Sequence, residues 1–157
     1  MKDDMNLNQV AGVALTGSLT RLMVVDDDQG VLEIMALFLR TLSGIEVRCF
    51  QSAREALRAF TAAPGDYDFV VTDLEMPGMS GIEFCQQLHV LVPRIKVLLA
   101  SGSGIITGSE AKQSGFCGLL PKPFPLPALL GALEAAGVIN QRHVADQPAL
   151  MPALATA

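Results

Sequence analysis

The sequence repeats one pattern: a short apolar run that ends at a charged or hydroxyl-bearing residue. Residues 69–71 are strand-forming and apolar, and they lead into Asp73, after which Pro77, Gly78 and Gly81 turn the chain. Similar runs lie at residues 22–25, 97–100 and 117–120. Short continuous apolar runs are typical of strands buried on both faces of a parallel sheet. The pattern therefore predicts several buried parallel strands, each delivering a polar side chain at its carboxyl end.

Segments with helical periodicity separate these runs. They lie at residues 31–42, 52–62, 81–91, 107–114 and 126–136, and the fourth is weak and interrupted by glycine. Residues 45–50 alternate apolar and polar side chains, as an edge strand does. Ser52 and Glu55 have the spacing of a capping box. Strands that alternate with helices five times predict an α/β fold, a doubly wound five-stranded parallel sheet with helices on both faces.

The length of 157 residues and the 50% hydrophobic content suit one substantial core. We predict one domain at residues 20–139, an N-terminal extension at 1–19 and a flexible C-terminal tail at 140–157.

Charge and cysteine usage exclude several classes of protein. The net charge of -5 and the lack of a Lys/Arg cluster argue against direct nucleic-acid binding and against an anionic membrane. The apolar run at residues 10–15 is too short for a signal peptide or a membrane span. Cys49, Cys85 and Cys117 are odd in number and widely spaced, which favours buried free thiols in a reducing cytoplasm.

The polar residues that follow the strands are expected to meet, because the carboxyl ends of parallel strands share one edge of the sheet. They are Asp26 and Asp27, Asp73, Ser101 and Lys122. Three clustered carboxylates repel each other and require a cation. Their hard oxygens favour a divalent ion, and Mg²⁺ fits better than Ca²⁺ because few protein oxygens are available. Asp73 can then act as a nucleophile that accepts a phosphoryl group, with Lys122 and Ser101 contacting the phosphate oxygens.

In these motifs the chain resembles the response-regulator receiver domains of two-component signalling, the family of the chemotaxis regulator. The resemblance covers about residues 20–139 and rests on Val24-Val-Asp-Asp-Asp28, Asp73-Leu-Glu-Met-Pro-Gly-Met-Ser-Gly81, Ala100-Ser-Gly102 and Leu120-Pro-Lys-Pro-Phe124. It implies a flavodoxin-like strand order, 2-1-3-4-5, and a cis peptide bond between Lys122 and Pro123.

The resemblance also implies a role for each site residue. Asp73 is expected to be the phosphoacceptor. Asp27 is expected to bind Mg²⁺ directly, Asp26 mostly through water, and the backbone carbonyl of Glu75 is expected to complete the protein ligands. Ser101 and Lys122 are expected to contact the phosphoryl group.

The sequence departs from the family pattern at two places. Alignment backward from Lys122 puts Leu119 where the family often has the aromatic switch residue, so an aromatic rotamer flip cannot be the signal. The segment after Ser101 is one residue shorter than in the chemotaxis regulator and rich in glycine, which predicts a short or mobile fourth helix. These departures concern the output mechanism rather than the phosphoryl chemistry.

The function implied is a stand-alone phospho-switch and not an enzyme acting on a separate metabolite. A histidine kinase or a histidine phosphotransfer protein would phosphorylate Asp73, and a downstream protein target would read the change or receive the phosphoryl group. The high apolar content leaves room for a homodimer through the fourth-helix face. A fragment cut from a hybrid kinase is an open alternative.

Two other classes compete with this interpretation. Asp26 and Asp28 have the Asp-x-Asp spacing of haloacid-dehalogenase-type phosphatases, but Gln29 and Gly30 follow where such enzymes place other residues. A passive interaction module that has lost phosphorylation is the second. Asp28 is expected to cap the first helix, and His89 is expected to be a surface or boundary residue.

Overall fold

The computed structural model describes residues 19–102, 104–140 and 143. The predicted N-terminal extension lies outside these residues except for Leu19, and so does the predicted tail except for Asn140 and His143.

The five strands form one parallel sheet. They are β1 (Thr20–Val25), β2 (Ile45–Phe50), β3 (Phe69–Asp73), β4 (Lys96–Ser101) and β5 (Gly118–Pro121). All pairings are parallel and the order is β2-β1-β3-β4-β5. The order reverses between β1 and β3, which is where a doubly wound sheet opens a crevice at the carboxyl ends of its strands. The predicted fold class, strand order and edge position of β2 are confirmed.

Within residues 19–140, four helices connect the strands and a fifth follows β5. They are α1 (Gln29–Leu39), α2 (Ala53–Ala62), α3 (Gly81–Leu91), α4 (Gly108–Gln113) and α5 (Leu126–Ala135). A single 3-10 turn, Pro64–Asp66, follows α2. As predicted, α4 is short. No helix in the described part of the chain is long and apolar enough to cross a bilayer.

Both faces of the sheet carry a packed apolar layer. On one face Leu22 and Val71 pack with α1 and α5, through residues such as Leu39 and Leu133. On the other face Val70 and Leu99 pack with α2 and α3, where Phe60 and Phe84 are fully buried. Two layers of helices around a buried sheet fix the strand ends in place, so the loops after those strands are held on a rigid base.

Several element boundaries differ from the prediction. Helix α1 ends at Leu39 rather than residue 42, although Leu42 is buried in the turn that follows. Strand β5 begins one residue later, at Gly118, and Cys117 is exposed. At the start of α2 the Ser52 side chain accepts a hydrogen bond from the Arg54 backbone N–H (3.2 Å), not from Glu55 as the capping-box spacing predicted.

Candidate phosphoacceptor and metal site

Parallel pairing places the predicted site residues at one edge. Asp73 ends β3 and pairs with Ala100, and Ser101 ends β4 and pairs with Pro121. The backbone N–H of Lys122 donates to the Ser101 carbonyl (2.8 Å), which carries the Lys122 side chain toward the same edge. Asp26 follows β1 directly, and its N–H donates to the Phe50 carbonyl of β2 (3.1 Å). Four strand ends therefore contribute to one crevice.

Lys122 bridges two carboxylates at the centre of the site. Its Nζ contacts Asp26 Oδ2 at short range and lies 3.1 Å from Asp73 Oδ1. Asp26 is 3% exposed and Asp73 9% exposed. An ammonium group shared between two carboxylates compensates part of the cost of burying them. The structure thus brings together Asp26, Asp73 and Lys122, as predicted.

Asp27 completes an acidic cluster that could hold a cation. One carboxylate oxygen from each of Asp26, Asp27 and Asp73 lies within 4.8 Å of the others. Asp27 is exposed, so it can reach a hydrated ion from the solvent side. Hard carboxylate oxygens with access for water match the preference of Mg²⁺, which keeps several of its waters. The donor set therefore fits the predicted metal.

The pKa values of the site reflect burial and charge together. Burial raises the pKa of Asp73 above its ordinary value, and Asp26 adds repulsion, although the hydrogen bond and charge of Lys122 oppose both effects. Burial alone would lower the pKa of Lys122, but its bonds to Asp26 and Asp73 outweigh that effect and raise it. Lys122 is therefore charged at neutral pH, which is what contact with a phosphoryl group requires.

The helix cap next to the site follows the prediction. Asp28 caps α1 by accepting hydrogen bonds from the backbone N–H groups of Gly30 (2.8 Å) and Val31 (3.2 Å). Its own N–H donates to Asp26 Oδ1 (2.9 Å). The three consecutive aspartates thus divide into a buried partner of Lys122, an exposed member of the acidic cluster and a helix cap.

The remaining predicted residues lie around this centre. Ser101 is 6% exposed at the end of β4. Leu119 is half-buried on β5 and packs against the apolar layer formed with α2 and α3. Glu75 is exposed two residues after Asp73. The Lys122–Pro123 peptide bond is cis, as predicted.

Two residues that the sequence analysis did not assign to the site lie against the backbone of Asp73. The Thr72 hydroxyl donates to the Asp73 carbonyl (3.0 Å), and Thr72 is fully buried. Gly81 packs so closely on that carbonyl that an added Cβ would lie 2.1 Å from the oxygen. Gly81 was predicted only as a turn residue. The spacing of glycines signalled the turn, but no sequence pattern signals a hydroxyl bound to the neighbouring carbonyl.

The cysteines differ from one another. Cys85 is buried as predicted, and burial together with the nearby Cys117 raises its pKa to about 12. Cys49 is half-buried, and Cys117 is exposed. The prediction that all three are buried thiols is therefore wrong for Cys117, because it stands just before β5 rather than inside it. His89 is half-buried, and its Nε2 lies 3.0 Å from the Ile95 carbonyl, which agrees with a boundary position.

Taken together, the sheet order and the acidic crevice define a flavodoxin-like α/β protein whose carboxylates can hold a cation beside a buried, lysine-paired aspartate. Comparison with known proteins points to one family. A family model described as the response regulator receiver domain matches residues 22–134. The crystal structure of a response regulator receiver domain protein from Clostridium thermocellum has a TM-score of 0.69 and 28% identity, and the match covers 80% of this chain and 98% of that one.

Two curated relatives give the same result. The transcriptional regulatory protein FixJ of Azorhizobium caulinodans is 35% identical over 114 residues, which cover 72% of this chain and 53% of the relative. The response regulator protein TodT of Pseudomonas putida is 34% identical over 126 residues, which cover 80% of this chain and 54% of the relative. The chain thus spans about half the length of these relatives.

The chain belongs to the response regulator receiver domain family of two-component systems. Receiver domains are phospho-accepting signalling switches rather than classical enzymes, and they interact with histidine kinases and downstream effectors. Phosphorylation and Mg²⁺ binding at an acidic pocket are typical of the family. The alternative of a haloacid-dehalogenase-type phosphatase is therefore set aside.

Proposed function

We propose that this domain accepts a phosphoryl group on Asp73 from a phosphohistidine of a kinase or phosphotransfer protein, and that phosphorylation changes how the domain binds a protein partner. The observation that carries this proposal is the position of Asp73, held at the end of β3 within 3.1 Å of Lys122 Nζ and inside the acidic cluster.

The transfer replaces one bond to phosphorus with another. A carboxylate oxygen of Asp73 forms the new P–O bond while the P–N bond to the donor imidazole breaks, and the imidazole leaves with the electron pair and takes up a proton. Lys122 is placed to hold the phosphoryl oxygens by a charge-assisted hydrogen bond. Ser101, at the end of the next strand, is the second candidate donor to those oxygens.

Asp26, Asp27, Asp73 and the backbone carbonyl of Glu75 are the residues that would hold Mg²⁺. The bound ion would neutralise charge on the phosphoryl oxygens as they approach the carboxylates. Asp26 has a second task, because it pairs with Lys122 and so keeps the ammonium group beside Asp73.

The switch is proposed to act through the edge formed by β4, α4 and β5. Leu119 lies half-buried on β5 beside Leu99 of β4. An aliphatic side chain here means that any displacement of Ser101 toward the phosphoryl group would be read by repacking of Leu119 and the short α4 rather than by rotation of an aromatic ring. A second copy of the chain is one candidate reader of that edge.

The partner of the switched surface is proposed to be a protein. The relatives include a DNA-binding transcriptional regulator, NtrC of Azospirillum brasilense, of which the match covers 27%. The relatives do not support the expectation that this chain makes no direct nucleic-acid contact, and that expectation stays a prediction. The stand-alone arrangement and the cytoplasmic location also stay predictions.

Incubation with acetyl phosphate and Mg²⁺, followed by intact-protein mass measurement, tests the chemistry. We expect one phosphoryl adduct on the wild type, none on Asp73→Asn and none without the metal. Asp66→Asn is the matched control, since Asp66 is a half-buried carboxylate on the 3-10 turn that precedes β3 and is not part of the acidic cluster. An adduct on Asp73→Asn would refute the assignment of Asp73.

If the wild type shows no adduct, phosphate release separates two cases. Steady release that needs Asp73 would mean rapid turnover of the acyl phosphate. If the wild type shows no adduct and also releases no phosphate, the passive interaction module is favoured.

A further inference from the structure

The backbone carbonyl of Asp73 is held from two sides, and neither contact belongs to the phosphoacceptor motif's side-chain chemistry. On the strand side, the hydroxyl of Thr72 donates to this carbonyl at 3.0 Å. Thr72 is fully buried in β3, so its hydroxyl has no access to bulk water. Removing a buried donor leaves its acceptor without that bond.

On the helix side, the backbone of Gly81 lies close to the same carbonyl. A Cβ at this position would lie 2.1 Å from the Asp73 oxygen and 3.1 Å from the Leu74 Cα. The Gly81 N–H also donates to the Leu74 carbonyl (2.8 Å). The first residue of α3 therefore contacts two consecutive peptide units where the chain leaves β3: it packs on the carbonyl of residue 73 and donates a hydrogen bond to that of residue 74.

These contacts restrain the segment that carries two of the proposed metal ligands. Asp73 supplies a carboxylate. Glu75, one residue beyond the two contacted carbonyls, is expected to supply its backbone carbonyl. Asp73 ends β3, and Glu75 has no regular secondary structure of its own. Pairing with β4 holds Asp73 at the end of the strand, whereas Glu75 lies beyond that pairing, so the contacts of Thr72 and Gly81 are what restrain the backbone between the two ligands.

We propose that Thr72 and Gly81 are positioning residues, which set the metal affinity of the site by holding the backbone of residues 73–75. The inference rests on the proposed function, because it assumes that the acidic cluster binds a divalent cation. Groups that orient metal ligands from behind commonly change metal affinity by about 10-fold to 100-fold when removed.

Two substitutions of Thr72 separate the hydroxyl from the side-chain volume. Thr72→Val keeps the β-branched shape and removes the donor, whereas Thr72→Ser keeps the donor and removes a methyl group. Binding of Mn²⁺ by electron paramagnetic resonance and of Mg²⁺ by calorimetry, well below the unfolding temperature, reads the affinity of the folded protein. We expect about 10-fold weaker binding for Thr72→Val and near wild-type binding for Thr72→Ser.

Thr61→Val is the matched control for the lost hydroxyl. The Thr61 hydroxyl donates to the Leu57 carbonyl (2.7 Å) on the exposed face of α2, so the same bond type is removed away from the site. Its metal affinity should equal that of the wild type.

Gly81→Ala tests the close contact between the start of α3 and the Asp73 carbonyl. Real Cβ atoms do not approach within 3.0 Å of another atom, so the Asp73 carbonyl or α3 must move by close to an ångström. We expect a loss of metal affinity larger than that of Thr72→Val. Gly131→Ala is its control, because an added Cβ there meets no atom within 4 Å.

The outcomes distinguish the inference from the function on which it rests. A wild-type protein that binds neither Mn²⁺ nor Mg²⁺ would overturn the proposed function. If the wild type binds metal and Thr72→Val binds it with the same affinity, the positioning role is overturned, while the phospho-switch is left intact. Equal weakening in Thr72→Val and Thr72→Ser would also overturn it, since packing and not the hydroxyl would then matter. Weakening in Thr72→Val that Thr72→Ser restores would support it.

Discussion

Asp73 carries its negative charge at a position that disfavours it when no metal is bound. Burial and the neighbouring Asp26 raise its pKa, and Lys122 only partly opposes them. A carboxyl whose pKa is raised by folding binds its proton more tightly in the folded state than in the unfolded state. Its favourable contribution to stability is therefore present at acidic pH and is lost as the pH rises through the folded-state pKa.

This linkage predicts the behaviour of Asp73→Asn in metal-free buffer. The amide cannot ionise, so the variant should be more stable than the wild type at pH 7. The difference should shrink as the pH falls through the raised pKa of Asp73 toward the ordinary aspartate pKa of about 3.9. Urea unfolding with EDTA at several pH values measures it. Asp66→Asn, which alters partly exposed ion pairs with Arg21 and Arg48, should change stability by less than about 1 kcal/mol at each pH. A less stable Asp73→Asn at pH 7 would show that the ion pair outweighs burial.

The thiols provide a second test at the residue scale. Cys85 is fully buried, and burial raises its pKa to about 12, so its reactive thiolate form is scarce at pH 8. Cys117 is exposed, although burial of its sulfur also raises its pKa. Iodoacetamide at pH 8 should label Cys117 first and leave Cys85 unmodified until the protein unfolds. Timed mass spectrometry measures this order, and the first adduct should be absent in Cys117→Ser. Labelling of Cys85 at the rate of Cys117 would contradict the burial of the Cys85 side chain beneath α3.

The sequence predicts the chemical site better than its support. Asp26, Asp73, Ser101 and Lys122 each follow an apolar run, and parallel topology then forces them to one edge. The contact of Thr72 with the Asp73 carbonyl has no comparable signal. A buried threonine in a strand suits the strand whether or not its hydroxyl is used, so only coordinates reveal its partner.

At the scale of elements, boundaries follow the sequence where a stop signal is present. Helix α3 has its predicted bounds because Ser80 and Glu83 form a capping box at its start and Pro93 follows its end. Helix α1 ends three residues before the predicted end. The prediction was too long because Leu42 continues the apolar stripe, although it lies in a turn where its N–H donates to the Leu39 carbonyl. Periodicity cannot distinguish a last helical turn from a buried turn that keeps the same spacing.

Two glycines, one inside α5 and one just after it, lead to opposite predictions. Gly131 lies inside the helix with free space around its Cα, so Gly131→Ala should stabilise the protein by about 0.5–1 kcal/mol through the entropy of the unfolded chain. Gly137 follows the helix with φ of 72°, and its N–H donates to the Glu134 carbonyl (2.9 Å). Gly137→Ala should therefore destabilise by about 1–2 kcal/mol, because a side chain is disfavoured there.

Urea unfolding midpoints of the two variants measure both effects. The same amino-acid change should move the midpoint in opposite directions at positions six residues apart. A shift in the same direction for both would show that residue type rather than backbone conformation controls stability at this end of α5.

For the whole domain, the acidic cluster links metal binding to global stability. The oxygens of Asp26, Asp27 and Asp73 lie within 4.8 Å of one another only because the neighbouring strands β1 and β3 are paired in the folded sheet. An unfolded chain offers no such arrangement, so a bound divalent cation favours the folded state. The gain at a free-metal concentration of 100 times the dissociation constant is about 2.7 kcal/mol.

Increasing MgCl₂ should therefore raise the transition temperature of thermal unfolding, by roughly 4 °C for each kcal/mol added to the free energy of unfolding. Asp27→Asn should remove most of this rise, and because Asp27 is exposed the substitution should leave the metal-free transition close to that of the wild type. NaCl at matched ionic strength controls for screening of the net charge of -5. An equal rise in the wild type and Asp27→Asn would mean that the ion acts at the acidic surface in general, and the cluster would then not be the metal site.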